Sequence, residues 1–149
     1  MSRVQLALRV SDLEGSIAFY SKLFGTEPAK RRPGYANFAI AEPPLKLVLL
    51  EGGGESEGDG VPTRLDHLGV EVERTADVAA ATARLADTGL ATAEEENVSC
   101  CYAVQDKVWV TGPGRERWEV YTVLGDVLPE LEGETAGAMA CDGQTACCA

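Results

Sequence analysis

The chain repeats itself, and a duplicated strand–helix pattern narrows the folds open to it. Gln5-Leu6-Ala7-Leu8-Arg9-Val10 matches His67-Leu68-Gly69-Val70-Glu71-Val72 in pattern, at an offset of 67 − 5 = 62 residues. Both segments alternate with period two, which predicts half-buried strands. Leu6, Leu8 and Val10 share one face, and Gln5, Ala7 and Arg9 the other. In the second copy Leu68, Val70 and Val72 lie opposite His67, Gly69 and Glu71.

A helical pattern follows each copy. Ser11-Asp12-Leu13-Glu14 has the form of a capping box. Leu13, Ile17, Tyr20 and Phe24 then recur at helical spacing, and Gly25 marks a stop. The second helix is expected from about Asp77 to Gly89, with Val78, Ala81 and Leu85 on one stripe. The stop glycines are 89 − 25 = 64 residues apart, close to the strand offset. Agreement at two kinds of element argues against chance similarity.

Three strand-like runs are expected after each helix. They lie near Ala29–Arg31, Tyr35–Ala41 and Lys46–Glu51 in the first half. In the second they lie near Thr92–Glu95, Ser99–Val104 with Lys107–Thr111, and Trp118–Leu124. Pro113 and Gly114 supply a turn before the last of these. The acidic, Gly-rich stretch from Glu51 to Gly60 reads as a linker. The expectation is an α+β protein with a first βαβββ module at 1–55, a second at 56–125 and a flexible tail at 126–149. From Gly125 onward the chain has no Lys or Arg, and it carries Cys141, Cys147 and Cys148. Those thiols either scavenge a soft metal or have no defined role.

Composition excludes some classes of function. With 24 acidic and 13 basic residues the net charge is −11, which repels nucleic acid, and no basic stripe offsets it. No apolar run approaches the roughly 20 residues that span a bilayer. The start Met1-Ser2-Arg3-Val4-Gln5 enters a strand pattern at once, unlike a signal peptide. A cytoplasmic location is expected, with no nucleic-acid or membrane partner. Thiols stay reduced there, so the five cysteines read as ligands or free thiols.

Five residues carry the candidate chemistry. Cys100 and Cys101 are adjacent, too close in sequence for an ordinary disulfide with each other. As thiolates they suit one thiophilic ion such as trivalent arsenic or cadmium. As thiols they are small core residues. His67 is the only histidine, and Gln5 holds the matching place in the first half. Glu119 and Tyr121 share a strand face opposite Trp118, Val120 and Thr122. Inside a closed sheet that carboxylate needs a partner or a metal. On an outward face it is merely solvated.

On these residues the chain resembles the vicinal oxygen chelate superfamily. That group includes glyoxalase I, extradiol dioxygenases and the bleomycin and fosfomycin resistance proteins. Within it the chain is most similar to the C–As bond lyases and the cadmium-induced proteins related to them. Three segments carry the likeness: Arg32 to Ile40, Asp66 to Val70, and Ser99 to Val110 with its Cys-Cys-Tyr-Ala-x-Gln-Asp-Lys run. It covers roughly residues 1 to 124.

The resemblance implies two modules forming a half-open barrel around one divalent metal. It implies Gln5, His67 and Glu119 as ligands of Fe(II), with His67 and Glu119 catalytic. Dioxygen is the implied co-substrate. Many superfamily members have a second histidine where Gln5 stands, so a more weakly held, exchangeable metal is expected here. Cys100, Cys101 and Tyr102 are the implied substrate-binding residues, capturing a trivalent methyl- or aryl-arsenical. Its C–As bond is then cleaved to inorganic arsenite, which would confer organoarsenical resistance. Tyr102, Trp109 and Tyr121 are candidate pocket walls, with core packing favoured for each. Lys107 either lowers the thiol pKa values or is solvated. A homodimer is compatible with this reading. The alternatives are a non-catalytic binder that sequesters cadmium or arsenic, and a superfamily enzyme acting on another substrate.

Overall fold

In the computed structural model of the protein the described residues are 1–52, 62–100 and 103–126. They form eight strands and two helices in the order β1 (Arg3–Val10), α1 (Leu13–Phe24), β2 (Lys30–Arg32), β3 (Tyr35–Ile40), β4 (Leu45–Glu51), β5 (Arg64–Glu71), α2 (Thr75–Asp87), β6 (Thr92–Cys100), β7 (Ala103–Thr111) and β8 (Arg117–Asp126). Contacts divide the described residues into two units. One runs from Ser2 to Val70. The other starts at Glu71 and includes Met1, whose amino group meets the Glu73 carboxylate. The acidic linker from residue 53 to 61, Cys101, Tyr102 and the tail cysteines 141, 147 and 148 lie outside the described residues.

In the first unit the strands are ordered β2-β3-β4-β1-β5. β1 and β4 are parallel, with Gln5 opposite Lys46 and Ala7 opposite Val48. β3 runs antiparallel to both of its neighbours. Parallel pairing needs a crossover, and α1 with β2 and β3 supplies it. Leu13 and Ile17 of α1 pack on Val10, Phe38, Leu47 and Leu49, with Leu6 and Leu8 beside them. Thus one face of β1 meets the helix. On the opposite face Gln5 and Ala7 are fully buried.

The start of α1 departs from the capping-box expectation by one residue. Asp12, not Ser11, is the N-cap, and its carboxylate accepts from Gly15 N–H at 2.9 Å. Aspartate caps as well as serine because its oxygen reaches the same unpaired amides. Glu14 is therefore free of a capping role and takes Arg31 Nη2 at 2.6 Å. Gly25, at φ 63°, ends the helix in the left-handed conformation as expected.

The second unit orders its strands β8-β7-β6, all antiparallel. α2 lays Val78 and Leu85 on Val108, with Val72, Val110 and Val120 at the margin. It begins at Thr75, before the expected start. Its N-cap, Arg74, makes no side-chain capping bond, so no capping signature marks the true start. β6 also departs from expectation. It runs unbroken to Cys100, which stands opposite Ala103, so Ser99 and Cys100 belong to β6. The register shifts between Glu95 and Val98: three steps on β6 match two on β7. Asn97 sits at φ 50° in this bulge. The extra residue puts Glu95 and Val98 on one face, which breaks the two-residue period that sequence reading relies on.

Candidate metal centre

His67 is fully buried on β5, and the structure surrounds its ring with partners from its own unit. Nδ1 lies 2.6 Å from Asp66 Oδ1. Asp66 Oδ2 takes Arg9 Nε at 2.6 Å. Burial pushes the Asp66 carboxyl up, but its hydrogen bonds to His67 and Arg9 and the Arg9 charge outweigh this. Its pKa falls below the ordinary carboxylate value. An ionised Asp66 is an acceptor only, so it holds the proton on Nδ1 and leaves the lone pair on Nε2. Nε2 lies 2.9 Å from Gln5 Nε2, whose N–H donates to it. A half-turn of the Gln5 carboxamide would exchange that donor for Oε1, an oxygen ligand.

Asp66 is the partner of His67 that sequence reasoning missed. Neighbours on a strand point to opposite faces, so an Asp beside a His does not read as its partner. The bond forms because Asp66 curls back along the strand while Arg9 holds its other oxygen.

Glu119 lies in the second unit. It is fully buried, which removes the outward, solvated alternative. Lys107 Nζ donates to its Oε2 at 3.1 Å. Lys107 is itself 1% exposed, so it is not solvated either. The register places Trp109 opposite Glu119 and Lys107 opposite Tyr121, so these four share a face. The Trp109 ring lies 5.5 Å from Lys107 Nζ and 4.2 Å from the Arg117 guanidinium carbon. Its N–H points to Glu95 at 3.4 Å. Tyr121 donates its hydroxyl to Glu71 at 2.9 Å. Trp109 and Tyr121 are thus buried packing residues that also carry polar bonds.

The helix-facing side of β7 holds Asp106. Its Oδ2 takes the Thr75 hydroxyl and its Oδ1 the Asn97 amide, each at 2.7 Å. One carboxylate therefore ties the start of α2 to the bulge in β6.

The structure brings Gln5 and His67 together in one unit and buries Glu119 in the other. Among the described residues no group of three or more His, Cys, Asp or Glu gathers to hold a metal ion. An imidazole, a carboxylate and an amide oxygen suit iron or manganese better than a soft ion. A carboxylate behind the imidazole is the usual support of a metal-bound histidine. Gln5 and His67, with Asp66 behind the ring, are thus of a type that suits a divalent metal.

A family model described as the Glyoxalase/Bleomycin resistance protein/Dioxygenase superfamily matches residues 3–120. The chain belongs to this superfamily. The α+β fold is that of the glyoxalase/dioxygenase superfamily too. A Mn(II)-bound glyoxalase from Novosphingobium aromaticivorans superposes with a TM-score of 0.58 at 21% identity, over 85% of this chain and 41% of that one. Within the superfamily, a "trivalent organoarsenical cleaving enzyme" of Thermomonospora curvata is 66% identical, over 99% of this chain and 89% of the relative. The "cadmium-induced protein CadI" of Mycobacterium tuberculosis is 58% identical, over 98% and 97%.

Proposed function

We propose that the protein cleaves the carbon–arsenic bond of trivalent organoarsenicals with Fe(II) and dioxygen. The observation that carries this is the 66% identity, along nearly the whole chain, to a relative named for that cleavage. The superfamily includes dioxygenases by name, and one similar structure binds Mn(II), which supports a divalent metal. Gln5, His67 and Glu119 are the proposed ligands, as the resemblance implies. Cys100 and Cys101 are the proposed arsenic ligands, with Tyr102 beside them.

Each residue then has a task. Asp66, held by Arg9, keeps His67 in the tautomer that offers Nε2. Gln5 gives up its bond to Nε2 and turns its oxygen inward. Each cysteine thiol gives its proton to a hydroxyl on arsenic, which leaves as water as the S–As bond forms, and the two S–As bonds fix the C–As bond in place. Such positioning can supply several kcal/mol of a barrier. Bound iron would supply the oxygen chemistry that leaves arsenite and an oxidised organic fragment.

A second reading, cadmium or arsenic sequestration without turnover, is favoured by the cadmium-induced relative. One experiment separates the two. The protein is incubated aerobically with Fe(II) and phenylarsenite, and inorganic arsenite is measured alongside separate titrations of iron and arsenical. Turnover is expected in the parent. His67→Ala should lose iron binding and turnover but keep arsenical binding. Cys100→Ser and Cys101→Ser should each lose arsenical binding, the double variant should lose little more, and iron binding should persist. Arsenical binding without any release of arsenite would establish sequestration instead.

A further inference from the structure

The strand that carries Cys100 reaches it through a register shift. Glu95 stands opposite Lys107, Val98 opposite Gln105 and Cys100 opposite Ala103. On β7 Ala103, Gln105, Lys107 and Trp109 alternate onto one face, and Trp109 stands opposite Glu119. The register position of Cys100 therefore lies on the sheet face of Glu119, within one unit. The extra residue at Glu96–Asn97 puts it there. With an unbroken period of two, Asn97 would meet Gln105, Ser99 would meet Ala103, and Cys100 would fall to the other face.

Strand pairing alone does not choose between these registers. β8 also shifts beside Gln105, where Val123 matches Gln105 and Gly125 matches Val104. On neither side of β7 does an unbroken ladder carry the register to the hairpin end. The choice falls to a side chain. Asn97, at φ 50°, donates its amide to Asp106 Oδ1 at 2.7 Å. Asp106 is itself anchored, since its Oδ2 takes the Thr75 hydroxyl at the start of α2.

We propose that Asp106 is a positioning residue for the arsenical: by holding the bulge at Asn97 it fixes the register of β6, and with it the sheet face that Cys100 joins. The inference deepens the reading above and rests on Cys100 being an arsenic ligand and Glu119 a metal ligand. A slip by one residue reverses the face but leaves the two cysteines adjacent and able to chelate. Asp106 thus governs delivery of the C–As bond rather than capture of arsenic. It does so from the helix side of the sheet, without touching the substrate.

The test uses the full-length protein. Cross-strand nuclear Overhauser contacts report the register without metal or substrate. In the parent Val98 should meet Gln105, and the Asn97 amide should exchange slowly with solvent. In Asp106→Ala, Asn97 should meet Gln105 instead. That variant should still bind phenylarsenite and Co(II) as the parent does, but release arsenite about 100-fold more slowly with Fe(II) in air. Deleting Asn97 from Asp106→Ala removes the residue that the bulge accommodates, so Val98 should meet Gln105 again and turnover should recover. A loss of stability alone would not be cured by a further deletion. Val98 still opposite Gln105 in Asp106→Ala, or parental turnover in a slipped Asp106→Ala, would overturn the inference. If Asp106→Ala does not fold, the parent decides: an Asn97 amide that exchanges like a free amide overturns the lock. Cys100→Ser separates the two levels. Parental arsenite release there overturns the arsenic-ligand assignment, while the register contacts judge Asp106 separately.

Discussion

At the scale of single residues, the chain Arg9–Asp66–His67–Gln5 shows how a buried imidazole is prepared. Each link is short: 2.6 Å, 2.6 Å and 2.9 Å. Removing the carboxylate charge leaves the ring in place but weakens its basicity and its hold on one tautomer. Asp66→Asn should lower Co(II) affinity by about 10- to 100-fold, the usual effect of losing such a supporting carboxylate. Isothermal titration measures it, and circular dichroism should show an unchanged fold. Unaltered affinity would mean that the Asp66 charge does not support metal binding. His67 and Gln5 were read as candidates from the duplicated pattern, and Glu119 from alternation along the last strand. Asp66, Arg9 and the true partner of Lys107 were not. The first depends on a side chain folding back against strand alternation. The others depend on which side chains strand pairing brings within reach of each other, which a linear pattern does not record.

Among the elements, the hairpin of β6 and β7 is where sequence and structure diverge most. Period two holds through Thr92–Glu95, fails at Glu96 and Asn97, and resumes at Val98. A reader of the sequence sees two short strands where one bulged strand exists. The same bulge gives Asp106 its task, since an amide released from strand pairing needs another acceptor. Asp106 is 8% exposed and bonds both Asn97 and Thr75. Asp106→Ala leaves both donors without that acceptor and should cost about 2–3 kcal/mol. At this chain length that lowers the melting temperature by roughly 5–10 °C. Thr75→Val removes one of the two bonds and should cost about 1 kcal/mol. Thermal unfolding of both variants checks the ratio, and equal losses would show that the Asn97 bond contributes nothing. The helices tell the converse story. α1 was legible because its apolar stripe and its Gly25 stop are local signals. The start of α2 was not, since Arg74 offers no capping group.

For the whole molecule, the repeat proved the most informative feature, because it placed a strand and a helix in each half before any chemistry was considered. No helix among the described residues is long and apolar enough to cross a membrane. The last described strand extends to Asp126. Residues 127–149 contain three of the five cysteines and no basic residue. None of the proposed ligands lies there, so a chain ending at Asp126 should keep its C–As cleavage rate within about tenfold, or 1.4 kcal/mol in barrier. Arsenite release by the shortened and full chains, compared at equal iron loading, measures this. A larger loss would assign the tail cysteines to the reaction.

The parallel pairing of β1 with β4 has a consequence for synthesis on the ribosome. Val4 pairs with Leu45, 45 − 4 = 41 residues later, and Gln5 meets His67 after a further stretch, 67 − 5 = 62 residues beyond itself. At about 5–20 residues per second, several seconds separate the emergence of the two. For the first part of that interval β1 has neither β4 nor β5 beside it, and β4 emerges before β5. Gln5 and His67 cannot act together on a metal in the nascent chain until the whole first unit has left the exit tunnel.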